Sequence, residues 1–197
     1  ATNRALAAAL ARGLVAAGMP GDAVQLVPTT DRDAVRHLCA LDGLVDLVIP
    51  RGGRSLIETV VAHARVPVIK HYDGICALYV DAAADLAMAE ELVLNAKCQR
   101  PGVCNAAESL LVHAEVAQAF LPKVAAALLA KGVEVRGCPA TCGLVPQAKP
   151  ATDADHAAEF LDLILSVKVV QSLDEAIAHI TRFGSQHTET IVTGDAE

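Results

Sequence analysis

The sequence predicts an α/β fold built on a parallel sheet. Segments with a helical apolar period alternate with short apolar runs along the chain, the order that strand–helix–strand units produce. One run, VDLVIP (45–50), is apolar at nearly every position, as strands covered on both faces are. The chain has 197 residues, 53% of them hydrophobic, which is ample for a buried core in one large domain or two small ones.

The elements follow in order. ATNRALAAALARGLVAAG reads as a helix, with Thr2 or Asn3 as N-cap and Gly18 near its C-terminal stop. AVQLV (23–27) is a short strand, and DRDAVRHLCAL (31–41) an amphipathic helix opened by Asp31. After VDLVIP comes RGGRSLIETVVAHA, a turn and a helix. VPVIK (66–70) and CALYV (76–80) follow as strands. ADLAMAEELVLNAK (84–97) is a helix, ESLLVH (108–113) a strand and EVAQAFLPKVAAALLAKG (115–132) a long helix ended by Gly132. Residues 136–155, rich in glycine, proline and polar side chains, read as an excursion at the surface. LDLILSVKVV (161–170) is a long strand, SLDEAIAHITRFG a capped helix and TETIVT (188–193) a last strand. Asp85 and Asp174 look like helix caps and dipole partners. The turn-rich stretch near 98–107 is the expected domain boundary. Because the chain opens in a helix, a preceding strand is expected outside it.

Composition excludes several functions. Aromatics make up 3% and Trp is absent, so a stacking platform for single-stranded nucleic acid is not expected. A net charge of −7 also argues against a nucleic-acid surface. No apolar run reaches the ~18 to 20 residues of a membrane span, and no export signal is visible. Six cysteines are too dilute for a disulfide scaffold, so free thiols in a reducing cytoplasm are expected.

Arg51-Gly52-Gly53 follows a strand and precedes a helix. Glycines there allow close backbone approach to a phosphate at the helix N-terminus, or simply make a tight turn. Cys138, Cys142 and His156 supply three candidate zinc ligands but no fourth, so no metal site is expected. Cys39 and Cys76 fall in helix and strand patterns and read as small buried hydrophobes; Cys98 ends a helix as a neighbour of the next loop. Cys104 lies in that loop, QRPGVCNA, where a backbone holds a side chain at a cleft. Lys97 and Arg100 would favour its thiolate, the form that attacks a carbonyl carbon; an ordinary loop cysteine is the alternative. None of the seven histidines has a spacing that identifies a base for Cys104. Glu159, at the edge of the 161–170 run, is either a ribose ligand or a solvated carboxylate.

In sequence the chain resembles the γ-glutamyl phosphate reductases (glutamate-5-semialdehyde dehydrogenases) of the aldehyde dehydrogenase superfamily. VQLVPTTDRDAV, LVIPRGGRSLI, DGICALYVD, NAKCQRPGVCNAAESLLVH, EFLDLILSVKVV and SLDEAIAHITRFGSQHTETIVT carry the likeness. The family usually has Thr where this chain has Cys98. The resemblance implies an aldehyde dehydrogenase-like α/β fold with a partial, NADP(H)-binding Rossmann-like domain over 1–98 and a partial catalytic domain over 99–197. It implies that Cys104 is the nucleophile, and that the superfamily's oxyanion-hole asparagine lies upstream of this chain; within the chain, the Cys104 backbone N–H and Asn105 are the candidate oxyanion donors. Arg51, Gly52 and Gly53 fall at the family's cofactor turn, Glu159 matches the carboxylate that holds the nicotinamide ribose, and Leu161 lies with it on the cofactor side. Arg100 would serve the substrate's phosphate or carboxylate. The general-base glutamate of hydrolytic relatives is missing around Lys70 to Gly74.

The implied reaction is NADPH-dependent reduction of γ-glutamyl phosphate to glutamate-5-semialdehyde and phosphate, in proline biosynthesis. A CoA-acylating or aldehyde-oxidising enzyme is the alternative within the superfamily, and an inactive fragment or interaction module is the alternative outside it. A homo-oligomer, and glutamate kinase as partner, also follow from the resemblance. Family members carry further elements on both sides, so the chain is expected to be an internal fragment.

Overall fold

The computed structural model describes residues 2–195, which form two compact units, 1–70 and 71–197 by chain position. The units divide at Lys70–His71, with residues 71–98 in the second unit. The reason is hydrogen bonding: the strand at 76–80 pairs only with strands of the later sequence.

The first unit contains α1 (Thr2–Ala16), α2 (Asp33–Cys39) and α3 (Arg54–His63). Its small core is Cys39, Ile57, Val60 and Val66. Here the sequence overstates the strands. VDLVIP and VPVIK meet at a single parallel bridge, Val48 to Val68, and AVQLV forms no strand. A strand exists only where a neighbour accepts its backbone groups, and 23–27 has no such neighbour among the described residues. Val24, Leu26 and Val27 are exposed accordingly.

The second unit holds one six-stranded parallel sheet. Its elements in order are β1 (Cys76–Val80), α4 (Leu86–Cys98), β2 (Ala107–His113), α5 (Ala114–Ala130), β3 (Glu134–Gly137), α6 (Pro139–Leu144), β4 (Lys149–Pro150), α7 (Asp153–His156), β5 (Ile164–Val170), α8 (Leu173–Phe183) and β6 (Glu189–Val192). The spatial order is β4-β3-β5-β2-β1-β6, with every pair parallel. Side chains alternate across the strands: Leu78, Val80, Leu110 and Val112 join the α4–α5 core, while Tyr79 and Leu111 face Ala176 of α8. Helices cover both faces, so β1 is buried at every position, as a parallel strand should be.

Asp85 caps α4 as the sequence marks, accepting from the N–H groups of Ala87 and Met88 at 2.9 and 3.1 Å. The others differ: Thr2 and Asn3 lie within α1, and α8 is capped by Ser172, which accepts from Glu175 N–H at 3.2 Å, with Asp174 in its first turn. Residues 136–155 are no excursion. They build β3, α6, β4 and α7, with Arg136 bonded to Glu134 at 2.7 Å and Asp155 at 2.6 Å. Prolines 139 and 150 punctuate these short elements and disguise them as loop. Among the described residues no helix is long and apolar enough to cross a membrane.

Two polar features sit inside the apolar framework. The Lys97 ammonium at the end of α4 meets the Glu108 carboxylate of β2 at 2.7 Å, and both are fully buried. Burial pushes the Glu108 carboxyl up, against the downward pull of Lys97. On the α8 face, the rings of His156 and His179 lie 4.8 Å apart against Phe183. Burial lowers both histidines, His179 to about 4.

Two outcomes follow. Lys97→Met leaves a buried carboxylate unpaired and should cost about 3–5 kcal/mol, whereas Lys97→Met with Glu108→Gln should recover at least half of that loss in thermal melts. The histidine pair sets a pH dependence. Above about 6.5 neither the folded nor the unfolded chain holds these protons. Below it the unfolded rings take up protons that the folded ones refuse, so stability falls as pH drops from 6.5 toward 4. Denaturant titrations at pH 7 and 4 should differ by on the order of 2–3 kcal/mol for His179, and His179→Phe should flatten that slope.

Candidate active site

Two consecutive turns separate α4 from β2. Val103 N–H donates to Arg100 C=O at 3.3 Å, closing a turn over Pro101-Gly102; Ala106 N–H donates to Val103 C=O at 3.0 Å, closing a second over Cys104-Asn105. Proline at the second position of the first turn is pre-set for that geometry. Cys104 and Asn105 therefore occupy the corner of a turn, both exposed. Neither of their backbone N–H groups has an acceptor among the described residues. An exposed thiol stands beside two spare N–H donors, an arrangement that suits attack on a carbonyl and stabilisation of the resulting oxyanion.

What holds this turn is the Lys97–Glu108 pair. Lys97 lies just before the loop and Glu108 just after it, so the ion pair closes its base. Lys97 is thus committed to Glu108 and is not a free cation beside Cys104. Arg100 is exposed, and it lines a cavity of about 350 Å³ with Asn95, Gln99 and Asn105. The second Glu108 oxygen accepts from Leu161 N–H at 3.1 Å, and the Glu108 carbonyl accepts from Ser166 Oγ at 3.0 Å. One residue thereby ties the Cys104 loop to the 157–163 loop and to β5.

That tie brings Glu159 to the site. Gly74 is the point of contact: a Cβ there would fall inside the Cys104 carbonyl oxygen, and 2.9 Å from both the Cys104 carbonyl carbon and Glu159 Oε1. Glu159 is half-buried and precedes β5, which begins at Ile164; it stands in a loop, not at a strand edge. Leu161 likewise lies outside the strand, with φ of 53° and an exposed side chain. The left-handed conformation accompanies its N–H bond to Glu108.

The remaining candidates lie elsewhere. Arg51, Gly52 and Gly53 belong to the first unit, exposed where α3 begins, with Gly53 as the N-cap. A Cβ on Gly53 would meet nothing. Cys138 and Cys142 bond locally, to Val169 N–H and Gly137 C=O, and His156 pairs with His179. Among the described residues no three metal-ligating side chains converge. Sequence reasoning missed Gly74 and Cys76. The Cys76 thiol, taken for a small hydrophobe, donates to the Cys104 carbonyl at 3.2 Å. Nothing in an apolar strand pattern signals a hydrogen bond to a residue in a distant turn.

Gly74→Ala must push the Cys104 carbonyl away, because backbone at that point has no flexible side chain to yield. Iodoacetamide labelling of Cys104 should change its rate by about tenfold or more, while melting falls by only about 1–3 kcal/mol, the range for overpacking.

The sequence profile described as "Aldehyde dehydrogenase family" matches residues 2–143. A γ-glutamyl phosphate reductase of Desulfatibacillum aliphaticivorans is 57% identical over 192 residues, covering 98% of this chain and 46% of that protein. The chain thus spans about half the length of the curated relatives it matches. The crystal structure of γ-glutamyl phosphate reductase from Thermotoga maritima superposes with a TM-score of 0.91 at 44% identity, over 98% of this chain and 47% of that one. An engineered glycolyl-CoA reductase with bound NADP+ shares the fold, at 19% identity and a TM-score of 0.65 over 92% of this chain and 49% of that one. The fold and the matched sequence agree: the chain belongs to the aldehyde dehydrogenase family.

Proposed function

We propose that the protein carrying this chain reduces γ-glutamyl phosphate to glutamate-5-semialdehyde, releasing phosphate, through a thioester on Cys104. The observation that supports this most is the Cys104-Asn105 turn, an exposed thiol with two unclaimed N–H groups, in a sequence 57% identical to a γ-glutamyl phosphate reductase.

The chain's residues divide the work. The Cys104 thiolate attacks the acyl carbon, forming the C–S bond and a tetrahedral oxyanion; collapse of that state breaks the C–O bond to phosphate, which leaves. Cys104 N–H and Asn105 N–H meet the oxyanion of each tetrahedral state. Arg100, exposed in its amide-lined cavity, takes a phosphate or carboxylate of the substrate. NADPH, when bound, supplies the hydride that reduces the thioester. The resulting thiohemiacetal on Cys104 then loses its C–S bond, releasing the aldehyde and restoring the thiolate.

Two parts of the chain fit a nicotinamide cofactor. In the first unit, Gly53 leaves open backbone at the N-terminus of the ten-residue α3, which favours a phosphate, and Arg51 and Gly52 precede it in the same exposed turn. In the second, the Glu159 carboxylate is held half-buried by its loop, ready to accept from a ribose hydroxyl, with Leu161 beside it. The reading goes with a cytoplasmic, homo-oligomeric enzyme of proline biosynthesis, supplied with its acyl phosphate by a glutamate kinase.

The test runs the reaction in reverse on the complete protein that carries this sequence. Glutamate-5-semialdehyde should reduce NADP+ only with phosphate present, and Cys104→Ser should lower the rate at least ~1000-fold, as loss of a nucleophile does. Survival of the activity in Cys104→Ser overturns the thioester. Dependence on CoA in place of phosphate reassigns the enzyme to acyl-CoA chemistry, and turnover with neither makes it an oxidising dehydrogenase.

A further inference from the structure

We propose that Cys76 is a positioning residue whose thiol, by holding the Cys104 carbonyl, fixes the direction of the Asn105 N–H as an oxyanion donor. This rests on the reading of Cys104 as nucleophile. The argument starts from the peptide bond. The carbonyl of Cys104 and the N–H of Asn105 belong to one planar trans unit, so they point in opposite directions. The carbonyl is held inward: it accepts from Cys76 Sγ at 3.2 Å and lies against the bare Cα of Gly74. The Asn105 N–H must therefore point away from β1, on the exposed side of the turn. The turn itself uses only Val103 C=O and Ala106 N–H, so this donor stays available.

Cys76 is built for that task. It is 3% exposed and opens β1, where it pairs with Ala107 of β2 and its N–H donates to Gly74 C=O at 3.0 Å, so burial and pairing set its position. Burial pushes its thiol up to about 11, against the pull of a hydrogen bond from Thr188. At neutral pH it keeps its proton, which makes it a donor and keeps a second negative charge away from Cys104. Behind it, His187 Nδ1 lies 3.7 Å from the sulfur and 2.8 Å from Thr188 Oγ1, and the His71 ring packs edge-on to His187 at 4.4 Å. Ser185 Oγ accepts from Ile75 N–H at 2.9 Å, so the 185–188 segment braces the strand entrance from the other side. An oxyanion donor helps only if its direction is fixed before charge develops, and a weak thiol bond in a buried frame supplies that restraint.

The experiment compares Cys76→Ser, which keeps a donor, with Cys76→Ala and Cys76→Val, which do not. Activity is measured on the complete protein and expressed per Cys104 thiol titrated with iodoacetamide, with melting curves as the check on folding. Either apolar variant that folds should lose about tenfold in kcat with KM changed less than about threefold, the pattern of an interaction made in the transition state. Cys76→Ser should stay within about threefold of the parent, because a hydroxyl donates to the same carbonyl. A purely structural role would lower melting and the titrated fraction but leave kcat per thiol unchanged, and that result overturns the proposal. An equal loss in Ser and apolar variants overturns it too. If Cys104→Ser retains activity, the nucleophile reading falls and this role of Cys76 falls with it. If Cys104 is essential while the apolar Cys76 variants keep full kcat, the positioning role alone is wrong.

Discussion

The site hangs on one buried carboxylate. Glu108 sits at the start of β2, and each of its acceptors engages a different segment: one oxygen binds Lys97 at the end of α4, the other the Leu161 N–H, and its carbonyl the Ser166 hydroxyl of β5. A charge in an apolar interior is tolerable only when it is paired and hydrogen-bonded, which ties α4 and the 157–163 loop to the Glu108 carboxylate, while the Glu108 backbone carbonyl adds β5. The loop bearing Cys104 leaves from one side of Glu108 and the loop bearing Glu159 from the other. The two are adjacent because a desolvated charge admits no looser arrangement. Replacement by well-packed apolar residues would be no less stable in general. The ion pair therefore contributes geometry more than net free energy.

Around this node, the sheet supplies rigidity. Parallel strands covered on both faces put the turn between α4 and β2 at the end of the strongest part of the core, where Leu110, Leu111 and Val112 are inaccessible to water. Burying such side chains contributes about 1.5–3 kcal/mol each, far more than any bond in the loop. The Cys104 turn is thus carried by a strand packed into that core, and it has only its own peptide planes to fix. Gly74 and Cys76 do so at a single carbonyl.

Much of this was legible in the sequence and some was not. The helices over 84–97, 115–132 and 172–184 and the strands of the second unit follow from period and caps, since local chemistry and tertiary packing agree there. The strands at 23–27 and 45–50 failed for a physical reason: apolar residues suit a strand, but only a partner makes one, and the partner is not a local property. β3 went unseen because four residues between a long helix and a proline carry almost no periodic signal. In the site, Cys104 stood out by its Pro-Gly context. Lys97 and Glu108 look like ordinary surface charges of a helix end and a strand start until the fold buries both. Cys76 is the extreme case, a residue whose apolar neighbours hide a polar task.

Leu161 adds one energetic detail. Its backbone is left-handed at φ 53°, which costs a non-glycine residue about 1–2 kcal/mol relative to the right-handed basin. That cost is offset by the bond its N–H makes to Glu108. One hydrogen bond therefore holds the segment bearing Glu159 in a backbone conformation that it would not adopt unaided. The 157–163 segment that carries Glu159 is thus joined to β2 by one backbone bond at its left-handed residue, and to β3 by the Glu134 N–H that donates to the Leu163 carbonyl at 2.8 Å.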